Sequence, residues 1–402
     1  MEKLFELVAL ETKRQNEGLE LIASENFTSK KVRALAGSVL TNKYAEGYPG
    51  RRYYGGCHYI DEIEGTAIEL AKKLFNAKYA NVQPHSGSSA NMIAYASVLE
   101  LGDSILTLSL DEGGHLTHGS PVNFSSKHYK VTHYGLKDDG TIDYEALREI
   151  ALKLKPKLIL AGFSAYPFII DFARIGKIAK EVGAYFMVDM AHIAGLIAGG
   201  YHPSPFPYAD IVTSTTHKTL RGPRGGIILT NSEEIIKKVN FTCFPGMQGG
   251  PLENIIGAKA QSFYEALQPE FKEYIKRVVE NTKVASETLR ALGAEASETE
   301  THLFLLNTKK SYGITGKDAE ALLETIKITT NKNMLPKDDE RPNTTSGLRL
   351  GFAAVTTRGL TKVNAAETAR IIHEFLSKKI TKEEAMIRVN KIVDTLQAID
   401  SL

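Results

Sequence analysis

Residues 184–226 read AYFMVDMAHIAGLIAGGYHPSPFPYADIVTSTTHKTLRGPRGG, in which two apolar runs, AYFMVDM and ADIVTST, are separated by a connection long enough for a helix. Four more such runs occur between residues 79 and 231: YANVQP, DSILTLSL, PKLILAGFS and GGIILTN. Short Val/Ile/Leu-rich runs that alternate with helix-length connections indicate an α/β domain with a mostly parallel sheet flanked by helices. Ligands bind such sheets at the carboxyl ends of the strands, so the residues after each run are site candidates.

The composition excludes several classes of protein. Of 402 residues, 43% are hydrophobic and 24% charged, and 49 Lys and Arg against 47 Asp and Glu leave a formal net charge of +2. A chain this apolar and evenly charged can bury a core, which excludes a disordered protein and a polyelectrolyte binder of nucleic acid. Two cysteines, Cys57 and Cys243, cannot make a disulfide framework, and no run approaches the ~18 apolar residues of a membrane span. Because residues 1–8 also lack the apolar core of a secretory signal, we expect a cytoplasmic protein.

The N-terminal sixty residues differ in character from the runs that follow. Leu4, Leu7 and Val8 recur at helical spacing, so we expect a first helix that ends at about Gln15. Residues 41–61, TNKYAEGYPGRRYYGGCHYID, are dense in tyrosine and glycine. They are equally consistent with a loop that covers its own domain and with a loop that reaches a ligand or a neighbouring subunit.

The length of the chain exceeds what one hydrophobic core usually supports. A long helix is expected from about residue 271 to 292, followed by one apolar run, HLFLLN, and by two apolar helical stripes. The stripes are Ala319, Leu322, Leu323 and Ile326, and Ala365, Ala369, Ile372 and Leu376. We therefore predict a helical and Tyr-rich arm at 1–61, a large α/β domain at 62–280 and a small C-terminal α+β domain at 281–402.

Three strand ends carry residues that could do chemistry. After YANVQP, residues 85–91 place Ser and Gly at the start of a helix, which suits a phosphate or plain helix capping. Asp189 ends a buried run, so it either caps a loop or meets a buried positive group. Lys218 and Arg224 follow another run, where partial burial would favour the neutral amine that forms a Schiff base, although a solvated basic turn is equally consistent.

The combination of these groups is more specific than each alone. An amine that can form a Schiff base, an aspartate that can pair with a pyridinium nitrogen and a helix N-terminus for phosphate are the groups that bind pyridoxal phosphate. They occur at the ends of runs assigned to one sheet. The pattern predicts a pyridoxal phosphate enzyme and no metal site.

The chain resembles bacterial serine hydroxymethyltransferases along nearly its whole length. The resemblance rests on LIASENF, TNKYAEGYPGRRYYGG, NVQPHSGSSAN, GGHLTHG, GFSAYP, VDMAHIAGLIAGG, STTHKTLRGPRGG, FPGMQGGP and TSGLRLG. It implies the fold-type I architecture of pyridoxal phosphate transferases and a homodimer whose active sites are shared between subunits. It also implies reversible transfer of the serine hydroxymethyl group to tetrahydrofolate through aldimine and quinonoid intermediates, with aldol cleavage of 3-hydroxy amino acids as a side activity.

The resemblance also implies roles for individual residues. Lys218 would carry the cofactor, and Asp189 would pair with its pyridine nitrogen. The other cofactor contacts would be Ser86, Gly87, Ser88, His115, Ser164, His192, His217, Gly249 and Gly250, the two glycines from the other subunit. His115 would stack on the ring, and His217 would also influence reaction specificity.

The substrate side is assigned in the same way. Arg349 would bind the amino-acid carboxylate as a bidentate fork. Glu46 would move a proton at the serine hydroxyl, and it would reach across the dimer with Tyr44 and Tyr54. The remaining substrate contacts would be Arg224 and the pteridine-site residues Tyr53, Leu110, Gly114, Leu116 and Asn333.

Two departures from the family pattern lie on the folate side. Residues 341–343 read RPN where many bacterial relatives read SPF, and residues 351–354 read GFAA where the family often has GTPA. Two other functions stay open from sequence: a folate-independent threonine or phenylserine aldolase, against which Glu46 argues, and a non-catalytic RNA-binding scaffold, against which Lys218 and Asp189 argue.

Overall fold

The computed structural model describes residues 2–402. The strands are β1 (Leu19–Glu20), β2 (Gly47–Tyr48), β3 (Arg51–Arg52), β4 (Tyr79–Asn81), β5 (Ser104–Leu108), β6 (Lys130–Tyr134), β7 (Leu158–Ala161), β8 (Tyr185–Asp189), β9 (Ile211–Thr215), β10 (Gly226–Thr230), β11 (Leu303–Asn307), β12 (Ile328–Thr329), β13 (Asn331–Asn333) and β14 (Gly347–Gly351). The helices are α1 (Glu2–Glu17), α2 (Lys30–Ala36), α3 (His58–Phe75), α4 (Gly87–Val98), α5 (Phe124–His128), α6 (Tyr144–Leu154), α7 (Phe172–Val182), α8 (Ala194–Gly199), α9 (Glu233–Phe241), α10 (Glu253–Ala266), α11 (Pro269–Ala291), α12 (Thr308–Tyr312), α13 (Gly316–Glu324), α14 (Ala353–Thr357), α15 (Lys362–Leu376) and α16 (Lys382–Val393). In this part of the chain no helix is long and apolar enough to cross a membrane.

A seven-stranded sheet has the order β4-β10-β9-β8-β7-β5-β6. Strands β5 to β9 pair in parallel, and β10 alone runs against its neighbours β9 and β4. The six apolar runs of the sequence are all strands of this sheet, which confirms the mostly parallel α/β prediction. Strand β6 is the one that the apolar pattern missed, because it lies at the edge and Tyr134 is its one buried residue.

Helix α4 packs its small and branched residues on the sheet. Ala90, Ile93 and Ala94 are fully buried and share a core with strand residues such as Leu160 and Met187. Burying one side chain of the size of isoleucine contributes about 1.5–3 kcal/mol. This packing fixes the position of the N-terminus of α4 relative to the strands that carry the site.

The chain divides into two compact units. One comprises Lys31–Ser164 and Ile169–Lys272, and the other comprises the segment up to Lys30, Ala165–Phe168 and Glu273–Leu402. Helix α1 is thus grouped with the C-terminal residues, whereas the Tyr-rich segment is grouped with the seven-stranded sheet. The three-part division at residues 61 and 280 stays a prediction.

The second unit has its own core around the three-stranded antiparallel sheet β11-β14-β13. The predicted run HLFLLN forms β11, and α11 nearly matches the expected long helix. Ala365, Ala369, Ile372 and Leu376 are all buried, as their stripe predicts. In the other stripe the prediction is wrong for Leu322, which is 40% exposed, whereas Ala319, Leu323 and Ile326 are buried in the core.

Candidate active site

The sheet brings three of the predicted site segments to one edge. Asp189 ends β8 and pairs in parallel register with Thr213 of β9, whose continuation leads to Lys218. Strand β4 runs in the same direction, because both β4 and β9 pair antiparallel with β10, and it leads to Ser86. The carboxyl ends of these strands therefore lie at the edge where parallel sheets bind ligands.

Asp189 is buried and is held by three hydrogen bonds. Its Oδ1 accepts from Ala191 N at 3.1 Å, and its Oδ2 accepts from Asn91 Nδ2 at 2.8 Å and from His118 Nε2 at 3.0 Å. Burial alone raises the pKa of this carboxyl, but the hydrogen bond and charge of His118, the charge of His115 and the hydrogen bond of Asn91 together outweigh it and bring the pKa below its usual range. Asp189 is therefore an ionised acceptor that both caps a loop and meets a polar cluster.

The histidines of the GGHLTHG motif have tautomers set by backbone N–H groups. Thr117 N donates to His115 Nδ1 at 3.2 Å, and His115 N donates to His118 Nδ1 at 3.2 Å. Since each Nδ1 accepts, a neutral ring carries its proton on Nε2. His118 Nε2–H can then donate to Asp189.

The segment after β4 forms the start of helix α4. Ser86 is its N-cap residue, and its Oγ accepts from Ser89 N at 3.1 Å. The N–H groups of Gly87 and Ser88 open the helix, where no intrahelical acceptor exists for them. A Cβ on Gly87 would lie 2.6 Å from Thr215 Cγ2, so the close approach to β9 requires glycine. Helix capping and anion binding are therefore compatible here. The cap accepts the Ser89 N–H, and the N–H groups of Gly87 and Ser88 remain available to an anion.

Lys218 is 8% exposed and lies in the turn after β9. Its neighbour Thr219 ties this turn to the loop that follows Asp189, because Thr219 Oγ1 donates to His192 O at 2.8 Å and accepts from Gly195 N at 2.9 Å. His192 is also buried. The lysine is therefore a buried amine on a fixed turn and differs from a solvated surface lysine.

His217 carries a buried Nδ1 that has no hydrogen-bond partner among the described residues. Burial, then the charges of Arg224 and Lys218, lower the pKa of His217 to about 3. The imidazole is neutral at physiological pH, and Nδ1 is available to a ligand. Arg224 itself is exposed.

The depressed pKa of His217 predicts a contribution to acid sensitivity. The unfolded chain takes up the proton near pH 6.5 and the folded chain only near pH 3. His217 therefore costs the folded state no stability above pH 6.5, and it lowers the free energy of unfolding progressively as the pH decreases from 6.5 toward 3. We expect His217→Gln to lose less thermal stability than the wild type between pH 6.5 and 4.5. His58→Gln, at an exposed site, is the control; an unchanged slope in His217→Gln would contradict the prediction.

Ser164 is half-buried after β7, and its N–H donates to Gly113 O at 2.8 Å, in the loop before His115. The turn before it packs against β8, where a Cβ on Gly162 would lie 2.7 Å from Asp189 Cβ. The structure therefore groups the Ser164 segment with the Asp189 and His115 segments.

A second group forms around the Tyr-rich segment. The rings of Tyr44 and Tyr54 have centroids 5.1 Å apart. A Cβ on Gly249 would lie 3.2 Å from Glu46 Oε1, and one on Gly250 would lie 3.1 Å from Tyr44 Cε1. The five residues that the resemblance assigns to the neighbouring subunit's site thus sit together in one chain.

Arg52 holds the segment that carries Glu46. Its Nη1 donates to Ala45 O at 2.8 Å and Gly47 O at 3.2 Å, the carbonyls on either side of Glu46, and its Nη2 pairs with the buried Glu64 at 2.6 Å. Composition did not indicate this role, since RR in a Tyr-rich loop suggests solvated charge. Glu46 itself remains half-buried.

Three of the residues assigned to the pteridine are exposed apolar side chains. Tyr53, Leu110 and Leu116 are 75%, 40% and 46% exposed. Tyr53 packs edge-on against Phe244 with centroids 5.6 Å apart. Gly114 lies in the tight turn between the two leucines, where a Cβ would lie 2.6 Å from Leu108 O.

Arg349 lies on β14 in the second unit and is buried. Its Nη2 donates to Asn331 Oδ1 at 3.2 Å and contacts Ser24 Oγ at 3.4 Å. Burial lowers the pKa of Arg349 to about 10, so the guanidinium stays charged at neutral pH. Asn333 lies two residues from Asn331 on the adjacent strand β13 and donates to Met334 O. Sequence reasoning missed Ser24 and Asn331, although Ser24 lies in the LIASENF motif.

The described residues fit pyridoxal phosphate. Lys218 offers a buried amine, Asp189 an ionised carboxylate with acceptor capacity on Oδ1, and the start of α4 unpaired N–H groups for a phosphate. The partnerless Nδ1 of His217 is a further polar atom that a bound group would satisfy.

Comparison with known proteins agrees with this arrangement. The family model for serine hydroxymethyltransferase matches residues 1–372. A serine hydroxymethyltransferase of Lactobacillus acidophilus is 57% identical over 378 residues, 93% of this chain and 92% of the relative. Those of Lactobacillus johnsonii and Limosilactobacillus reuteri are 55% and 54% identical, over 97% and 98% of this chain and 96% of each relative. The chain therefore belongs to the serine hydroxymethyltransferase family.

Proposed function

We propose that this chain performs the reaction of its family: serine and tetrahydrofolate give glycine, 5,10-methylenetetrahydrofolate and water, reversibly. The observation that carries the proposal is the buried amine of Lys218 and the ionised Asp189 at neighbouring strand ends in a chain of this family. Slow folate-independent cleavage of 3-hydroxy amino acids is expected as a side activity of the same residues.

Each residue has a distinct task in this proposal. When bound, pyridoxal phosphate supplies a ring that delocalises the electron pair left at Cα of serine as the Cα–Cβ bond breaks. Lys218 would hold the cofactor covalently, and Asp189 would accept a hydrogen bond from its pyridine nitrogen. Residues 86–88 would bind its phosphate through helix N–H groups and hydroxyls. His115 and His217 would contact it through their imidazole rings, and that of His217 is neutral at physiological pH.

The substrate residues act by charge and proton transfer. Arg349 would bind the carboxylate of serine with two parallel N–H groups, which fixes the orientation of Cα. Glu46 would hold or move the proton of the serine hydroxyl, for which a positioned carboxyl group is suited. The exposed apolar residues Tyr53, Leu110 and Leu116 would cover the pteridine.

One of the two departures from the family pattern has a structural explanation. Phe352 is fully buried and stacks on Phe304 with ring centroids 6.3 Å apart, so it fills part of the core of the second unit. Asn343 is exposed, and nothing in the structure explains the amide at this position. The departure at Phe352 is therefore compatible with folate binding.

The proposal includes a homodimer with shared sites. Helix α1 buries no residue within one chain, and Leu4, Phe5, Leu7, Val8 and Leu10 are all at least half exposed. Such an apolar face on a monomer marks an interaction surface. Glu46 and Tyr44 lie beside Gly249 and Gly250. This grouping further supports the proposal that the four residues enter the partner's site together.

We also propose the cytoplasm as the location. Both cysteines are free and buried, which suits a reducing compartment.

Purified protein with added cofactor is the direct test of the activity. We expect glycine from L-serine at a rate that tetrahydrofolate increases strongly. Cleavage of phenylserine together with a failure of tetrahydrofolate to increase glycine formation from serine would instead indicate an aldolase, and a protein without bound cofactor would indicate a scaffold.

Mixing two inactive variants tests the shared site. Lys218→Ala and Glu46→Gln should each be nearly inactive in folate-dependent cleavage. If Glu46 serves the partner's Lys218, a 1:1 mixture after subunit exchange is half heterodimer, each with one intact site, so about a quarter of wild-type activity should return. A mixture that stays inactive, although mass spectrometry shows heterodimers, would place both residues in one subunit's site.

A further inference from the structure

Asn91 lies on α4, one turn after the glycine that opens the helix, and is 1% exposed. Its Nδ2 donates to Asp189 Oδ2 and to Thr117 Oγ1, both at 2.8 Å, and its Oδ1 accepts from Thr213 Oγ1 at 2.6 Å. One side chain thus connects the helix of the phosphate segment with β8, with β9 and with the turn that contains His115.

The chemistry of these partners fixes the orientation of the amide. A carboxylate only accepts hydrogen bonds, so the NH₂ group must face Asp189, and the carbonyl oxygen then faces the Thr213 hydroxyl. Thr117 accepts from Asn91 and lies 2.8 Å from His115 Nδ1, which also accepts from the Thr117 N–H. The Thr117 hydroxyl proton is therefore directed at His115. The hydrogen bonds then run in one direction, from Thr213 to Asn91, from Asn91 to Thr117 and from Thr117 to His115.

We infer that Asn91 is a positioning residue, which acts through Asp189: it occupies Oδ2 together with His118, so that the remaining acceptor direction of Oδ1 is aimed at the cofactor nitrogen. This inference rests on the proposed function. Asn91 does not touch the reacting atoms in this account. Its loss should weaken cofactor binding even where the fold is intact.

Three variants test the inference, each titrated as cofactor-free protein with pyridoxal phosphate and followed by visible absorbance. Asn91→Ala should raise the dissociation constant about 10- to 100-fold, the range for a hydrogen bond to a charged group. Thr213→Val removes the hydroxyl that orients the amide at nearly constant shape, and it should raise the constant by about 3-fold. Thr213→Val also keeps the test valid if Asn91→Ala does not fold.

Asn281→Ala is the matched control, because Asn281 is also 1% exposed and donates two hydrogen bonds, to Thr356 Oγ1 and Leu360 O. It should lower the melting temperature by a similar amount without changing cofactor affinity. In an Asp189→Asn background, Asn91→Ala should change the affinity by less than about 2-fold, since coupled residues are not additive.

The outcomes separate the inference from the function on which it rests. A wild type that shows no cofactor band would overturn the proposed function itself. A wild type that binds cofactor, with Asn91→Ala and Thr213→Val indistinguishable from Asn281→Ala in affinity, would overturn the positioning role alone. Full additivity with Asp189→Asn would show that Asn91 does not act through Asp189.

Discussion

Lys218→Ala is expected to lose the visible absorbance of bound pyridoxal phosphate and to lower kcat at least about 1,000-fold, because it removes the amine that the proposed function assigns to the covalent bond with the cofactor. The protein should still fold, since Lys218 lies in a turn that Thr219 and other neighbours hold through their own hydrogen bonds. Far-ultraviolet circular dichroism and the absorbance spectrum after dialysis measure the two properties separately.

The chain contains a second buried lysine that serves as the internal comparison. Lys259 Nζ donates to Val82 O, Pro84 O and Gly226 O at 2.7, 3.1 and 2.8 Å, so all three ammonium protons are engaged. Burial lowers the pKa of Lys259 to about 7, yet three backbone carbonyls already engage its nitrogen. Borohydride reduction of the holoenzyme followed by peptide mapping should label Lys218; a label on Lys259 would refute the assignment.

The α/β fold and its two principal candidate site residues could be predicted from sequence for a physical reason. Buried strands of a parallel sheet need continuous apolar residues, so Asp189 and Lys218 stand out where such runs end. Edge strand β6 buries one of its five residues and lacks this signal. Leu322 follows the helical period but lies just outside the covered stripe, because the period alone does not fix the width of the buried face.

The residues that position the site were harder to predict. Asn91 and His118 bind Asp189 across 98 and 71 residues of sequence, and no local pattern reports such a contact. The one available signal was an amide directly before the apolar residues MIA, as Asn91 is in GSSANMIAYASV. Arg52 resembles a solvated charge until the structure shows its bonds to the carbonyls beside Glu46.

Arg349→Ala is expected to raise KM for serine about 100-fold or more, because removing one member of a buried charge pair costs about 2–5 kcal/mol. Arg349→Lys should recover only part of this loss, since an ammonium cannot reproduce the bidentate fork. Asn331 and Ser24, which contact Nη2, would remain in place in both variants. Steady-state kinetics with serine and with tetrahydrofolate varied in turn measures the effect.

Substrate analogues separate carboxylate binding from a general loss of structure. The wild type should bind glycine far more tightly than glycinamide, which lacks the carboxylate, and Arg349→Ala should bind the two nearly equally. The cofactor band and KM for tetrahydrofolate should change little, because the role assigned to Arg349 is confined to the amino acid. If Arg349→Ala still prefers glycine to glycinamide by the wild-type ratio, another cation binds the carboxylate, and the exposed Arg224 is then the residue to replace next.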